Sequence, residues 1–211
     1  MMQPKITKFG YKLFESKDGT TLQPLFIDKK EIFPVGEWIK AKNIEHHPNF
    51  SHRPGIHVGC NFPSAVWLMD ANGKYKSRFK NGQRVWCLVE YDATIDYNKE
   101  VSKLPDKCFK THCPENGYYN FLESRDRDWV ITSAIKIIKI LTEEERQEIL
   151  KQMNYDEVVA FEPYKKAFEK RKKIAWIFKI YTLDNTKLMW YNKTNDKLLS
   201  ERWYNHGTVS V

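Results

Sequence analysis

The sequence predicts an α+β fold: a mostly antiparallel sheet with a few short helices, followed by a C-terminal basic three-strand meander. Three observations lead there. Residues 84–92 alternate Val85, Cys87, Val89 and Tyr91 against Trp86, Leu88, Glu90 and Asp92, the period-two pattern of a strand. Residues 129–141 are dense in β-branched side chains, among them Ile135, Ile137, Ile138 and Ile140. Thr142-Glu143-Glu144-Glu145 then has the form of a capping box, with three acids at the positive end of the helix dipole. A chain of 211 residues that is 41% hydrophobic can build one sizeable core with a small appended unit. We therefore expect a mixed α+β domain over residues 1–160 and a basic aromatic extension over 161–211.

Taken in order, Tyr11–Glu15 is expected as the first strand, Lys17-Asp18-Gly19 as a turn, and Thr21–Ile27 as the hairpin partner. Ile32–Ile39 is apolar but contains Pro34 and Gly36, which fits an edge strand or an extended loop. Residues 40–55 form a polar, proline-punctuated loop. In the next strand, residues 55–60, Ile56, Val58 and Cys60 fall on one face and His57 and Gly59 on the other. Asn61 can cap a short helix over residues 63–68. Residues 84–92 are apolar at the start of both faces, as in a central strand. Residues 93–117 are loop-rich, and Tyr118–Glu123 and Trp129–Leu141 supply two further strands. Helices are expected from Glu143 to about Met153 and between Asp156 and Lys173, the second interrupted or restarted near Pro163. The meander would be Ile174–Tyr181, Lys187–Tyr191 and Leu198–Tyr204.

Charge is uneven along the chain. Residues 161–211 hold eleven Lys/Arg and five Asp/Glu, so +6 of the overall +8 belongs to the tail. Its densest part is Lys165, Lys166, Lys170, Arg171, Lys172 and Lys173, six cations with only Glu169 among them. Such a run attracts polyanions in a salt-dependent way, or serves as a solvated helix face that keeps the protein soluble. Seven aromatics lie between Trp176 and Tyr204. On a sheet beside cations they would suit single-stranded nucleic acid, and they equally suit a small core. Nucleic acid is thus one expected partner and another protein the alternative; oligomeric state is not legible.

No signal-peptide apolar region opens the chain, and the longest apolar-rich run, Ile174–Tyr181, is too short to span a bilayer. A soluble, intracellular protein without membrane contact is the expectation. Cys60, Cys87, Cys108 and Cys113 are scattered as reduced thiols would be. Cys108, His112 and Cys113 make one loose ligand group where structural zinc sites use two tight pairs, so no metal is expected.

Four of the six histidines, His46, His47, His52 and His57, fall within twelve residues. Imidazole is suited to proton transfer and metal ligation near neutral pH. Three of these decorate the loop, leaving His57, on a strand and followed by a helix, as the catalytic candidate. Glu90, beside Trp86 and Leu88, is the second candidate if partial burial tunes it for acid/base work; at the wet end of the sheet it would be an ordinary surface acid.

The stretch 53–60, the following Ala65-Val66-Trp67, the strand 84–90 and residues 129–141 together resemble an uncharacterised domain of bacteriophages and bacterial mobile elements. That domain has a glycine-aromatic-histidine-alanine-cysteine strand, varied here to Gly55-Ile56-His57-Val58-Gly59-Cys60. The resemblance covers roughly residues 9–145. It implies a phage or prophage protein in the cytoplasm of a bacterial host cell, or a virion component, and carries over no activity. A looser likeness is to ADP-ribosyltransferase-like folds, which imply NAD as cofactor, with His57 on the nicotinamide ribose and Glu90 stabilising the oxocarbenium ion. Tyr11-Lys12 stands where those enzymes carry arginine or histidine, and their serine-threonine-serine strand is missing. Outside that reading no cofactor is expected, and the protein is a noncatalytic accessory.

Overall fold

The structure is a computed structural model that describes residues 4–44, 51–59, 61–122 and 128–184. In chain order its elements are β1 (Thr7–Ser16), β2 (Leu22–Gln23), β3 (Trp38–Lys40), β4 (Ile56–Gly59), a 3-10 turn (Val66–Leu68), β5 (Gln83–Asp92), β6 (Ile95–Asp96) and α1 (Asn98–Val101). β7 (Gly117–Leu122), β8 (Asp128–Thr132), β9 (Ala134–Ile140), α2 (Glu143–Gln152) and α3 (Glu157–Asp184) complete them. The architecture is α+β, as the alternation predicts. One sheet runs β3-β9-β5-β1-β4-β8-β7-β6 with β2 paired to β1, antiparallel except where β6 joins β7.

β5 is central: it pairs with all ten residues of β1 on one side and with β9 on the other. β1 meets β4 at a single pair, Tyr11 with Gly59. The sheet curls at that seam, because strands far apart in its order touch across its inner face. The Lys8 Nζ of β1 donates to the Tyr118 hydroxyl of β7 at 2.7 Å, and the rings of Tyr91 and Tyr118 are 5.8 Å apart. Phe14, Val58, Val85, Val89, Val130 and Ile137 fill the enclosed space as one buried core. On the outer face, Leu13, Trp86 and Leu141 pack beneath the 3-10 turn and α2, while Tyr119, Ile131, Val101 and Phe109 form a second outer cluster with α1.

Several expectations change. Residues 129–141 are two strands, because β8 pairs with β4 and β7 whereas β9 pairs with β5 and β3. The chain must change partners at Ser133. Asp92 pins that corner: its carboxylate accepts from the Ser133 Oγ at 2.8 Å and its carbonyl from the Thr132 Oγ1 at 2.9 Å. The hairpin partner shrinks to Leu22–Gln23, since Pro24 has no amide to continue the ladder. Its freed carbonyl instead takes the Arg78 Nη1 at 2.8 Å. Residues 63–68 form only a 3-10 turn, which starts after Ala65 without a side-chain cap, so Asn61 caps nothing.

α2 begins with the expected capping box: the Glu145 amide donates to the Thr142 Oγ1 at 3.2 Å and the Thr142 amide to the Glu145 carboxylate at 3.1 Å. It ends at Asn154, which takes a left-handed φ of 55°. α3 starts on Asp156, whose Oδ1 accepts from the Val158 and Val159 amides at 2.9 and 3.1 Å. Pro163 does not interrupt it. That residue is exposed, so water can satisfy the Val159 carbonyl whose amide partner proline lacks. The first meander strand is also corrected, because Ile174–Tyr181 is helical. Both of its alternating faces are apolar, so its period could not separate strand from buried helix, and extending a helix already nucleated costs little. Residues 187–191 and 198–204 lie outside the described residues. The division at residue 160 falls inside α3. Among the described residues no helix is long and apolar enough to cross a membrane.

At the curl, Gly10 is enforced by close approach: a Cβ there would lie 2.6 Å from the Val58 Cγ1 and 2.7 Å from the Gly59 carbonyl oxygen. Gly10→Ala is expected to destabilise the fold by about 1–3 kcal/mol in urea denaturation, the range for overpacking.

Candidate functional site

His57 sits where the alternation predicts, with Ile56 and Val58 buried on the opposite face of β4. Its neighbours could not be foreseen. The Nε2–H donates to the Arg53 carbonyl at 3.1 Å, an assignment that follows because a carbonyl only accepts. The ring meets Trp129 edge-on at 5.5 Å, Trp129 packs 5.5 Å from Trp67, and the Arg53 guanidinium lies 4.3 Å over Phe121. Burial chiefly, with the Lys12 charge next, lowers the His57 pKa to about 4, and the Arg53 carbonyl opposes the shift. The imidazole is neutral at neutral pH.

Lys12 was not singled out by sequence, since it stands between Gly10 and Phe14 on a strand face that also carries Lys8 and Ser16. It is drawn in by the divergence of β1 from β4, where its Nζ donates to the His57 carbonyl at 2.8 Å. Burial lowers its pKa to about 8, and burial pushes the nearby Cys87 thiol up to about 12. The pair is a protonated thiol beside a lysine committed to a backbone carbonyl.

Glu90 shares a face with Trp86 and Leu88 but lies at the open end of β5, opposite Phe9, which is 61% exposed. It accepts from the Thr7 Oγ1 at 2.6 Å and lies 3.9 Å from the Lys136 Nζ. Extending the Tyr11–Gly59 register puts His57 level with Leu13 and Glu90 level with Phe9. Four residues along β1 and two strand spacings across then separate them by about 15 Å. The structure does not bring His57 and Glu90 together.

His46 and His47 lie outside the described residues, as does Cys60. Cys108 is buried with Phe109 and Tyr119, and the His112 ring packs 4.5 Å from Phe109. Among the described residues no three His, Cys, Asp or Glu side chains form a metal-binding group. A shallow open groove of about 310 Å³ runs between α2 and the outer sheet face, bordered by Tyr11, Leu88 and Ile149 and bridged by the 2.6 Å Lys139–Glu145 ion pair.

The basic run occupies α3, and a partly buried carboxylate roots that helix. The Glu157 Oε1 accepts from the Ser64 Oγ at 2.5 Å, from the Tyr75 hydroxyl at 2.8 Å and from the Arg146 Nη2. Arg146, 5% exposed, also donates to the Pro63 carbonyl at 3.0 Å and to Glu143 at 2.7 Å, so the buried guanidinium and the partly buried carboxylate are both paired and hydrogen-bonded. Phe161 packs with Val66 and Met69, and Ala160, Tyr164 and Phe168 join that cluster. At about 100° per residue these four form one stripe of the helix. Lys166, Lys170 and Lys173 fall on the opposite side, all exposed. Lys165 and Lys172 fall between that face and the packed stripe, and Glu162 and Glu169 border the triad; Lys165 lies 3.5 Å from Glu162. Arg171 turns toward the packed stripe, 6.0 Å over the Phe168 ring. The six cations therefore share a helix, and three of them share its outward face. Sequence reasoning located the run but missed its root, since Arg146 and Glu157 look like ordinary surface charges.

Comparison of the chain with protein-family models, with curated proteins and with solved structures gives no match.

Two outcomes follow from these side chains. His57 has a folded pKa near 4 against an ordinary 6.5, so below pH 6.5 the unfolded chain binds the proton more readily. Its contribution is complete above pH 6.5 and is lost as pH falls toward 4. Urea midpoints should drop across that window, and His57→Gln should flatten the drop. Arg146→Ala leaves Glu157 buried without its cation, and should cost about 3–5 kcal/mol in the same assay.

Proposed function

We propose that this chain is a noncatalytic, phage- or prophage-encoded accessory protein that binds nucleic acid through the outward face of α3. The observation that carries the reading is the exposed triad Lys166, Lys170 and Lys173, set opposite the stripe that packs on the body. None of the three has an ion-pair partner among the described residues. A helix interior to the fold would bury such a face. Here the body holds one side and leaves a row of ammonium groups toward solvent, suited to phosphate oxygens.

The noncatalytic part rests on the other candidates. An ADP-ribosyltransferase-like enzyme needs His57 and Glu90 on one NAD molecule. The register separates them by about 15 Å, His57 donates its Nε2–H to Arg53, and Glu90 faces Thr7 and Lys136. Engagement of another protein through the same helix is the second reading of a basic face, and salt dependence with nucleic acid separates the two.

The triple variant Lys166→Gln, Lys170→Gln, Lys173→Gln should keep the wild-type far-ultraviolet circular dichroism. In fluorescence anisotropy with labelled DNA it should bind more weakly, with the slope of log K against log salt reduced by about 3, near one unit for each phosphate the protein no longer neutralises. Wild-type affinity and slope in that variant would exclude α3 as the interface.

A further inference from the structure

Among the described side chains of α3, residues 157–174, the aromatic rings are set apart from Lys166, Lys170 and Lys173, and that separation bears on which nucleic acid it takes. Proteins that hold single strands do so largely by stacking bases on exposed rings. The described rings of α3 are not offered this way. Phe161 is buried, and Tyr164 and Phe168 are turned into the cluster with Val66 and Met69. Phe168, which lies within the basic run, has the Arg171 guanidinium 6.0 Å above it.

Over residues 165–173 the outward side of α3 presents charged side chains and no described ring, with Glu169 among the cations. Lys166, Lys170 and Lys173 are exposed, with Lys165 and Lys172 beside them. Ammonium groups meet phosphate oxygens and read no base edges. Their attraction then follows phosphate density, which is one charge per about 1.7 Å of axis in a duplex and about half that along each strand. The triad runs about 10 Å along one side of a helix rooted by Glu157 and Phe161, a straight row that suits a regular polyanion better than one that must be folded around it.

We propose that α3 binds duplex nucleic acid through its phosphates, without base preference, in favour of single strands. This rests on the reading of α3 as the nucleic-acid face. The test uses the full chain and four probes: two labelled 20-base-pair DNA duplexes of unrelated sequence, one of the component strands, and phosphatidylserine-containing vesicles. The duplexes should bind alike and severalfold tighter than the strand, and the triple glutamine variant should lower affinity for both duplexes equally.

Strand binding as tight as duplex binding, or strong discrimination between the duplexes, would overturn the duplex assignment while leaving nucleic-acid binding in place. Binding to neither DNA form, whether or not vesicles are bound, would overturn both it and the function from which it starts.

Discussion

The divergence of β1 from β4 is the constraint on which the rest of this structure depends. β1 pairs along its full length with β5 on one edge and, on its other edge, meets β4 at the single pair Tyr11 and Gly59, where the sheet curls. Gly10 makes the approach sterically feasible. Curling lets the sheet enclose its own core, with Val58 and Val130 from one half against Val85 and Val89 from the other. It also leaves the His57 carbonyl without a strand partner, which is why a lysine is drawn into the seam. Burying that ammonium disfavours its charge and, through its field, the charge of the His57 ring.

The outer face of such a sheet must be covered by short elements, and charged joints hold them. Glu15, 1% exposed, accepts from the Ser77 Oγ at 2.7 Å, the Arg78 amide at 3.1 Å and the Arg84 Nε at 2.8 Å, which fastens the 77–84 segment to β1. Glu157 does the same for α3 through Arg146, Ser64 and Tyr75. Carboxylates buried fully, as Glu15, or largely, as Glu157, are tolerable only with several donors each, and both have them. The joints fix where the helices sit more than they add to stability, because pairing mainly offsets the cost of taking the charges out of water.

Separate physical demands therefore act on the two regions that sequence marks as functional. His57 belongs to the seam, where burial keeps it neutral and its Nε2–H is taken by a backbone carbonyl. The cations of α3 belong to a helix that the body grips along one stripe only. Neither the root of that helix nor its solvated charged face depends on the seam.

Local signals were legible where backbone preference and periodicity act alone. The capping box at Thr142, the two-sided strand 84–92, the orientation of His57 and the clustering of charge near residue 170 all follow from neighbouring side chains, whatever the rest of the chain does. Partner choice was not legible, because it is decided by residues far away in sequence. Ser133 breaks a continuous β-branched run only because its two halves serve different strands. Ile174–Tyr181 is equally apolar at period two and period 3.6, so it continued the helix already started at Asp156. Glu157 and Arg146 are eleven residues apart and look like surface charges until Ser64 and Tyr75 close around them. The one-dimensional chain states what each segment prefers; desolvation and hydrogen bonding across the curled sheet choose which preference survives and which side chains are left facing water.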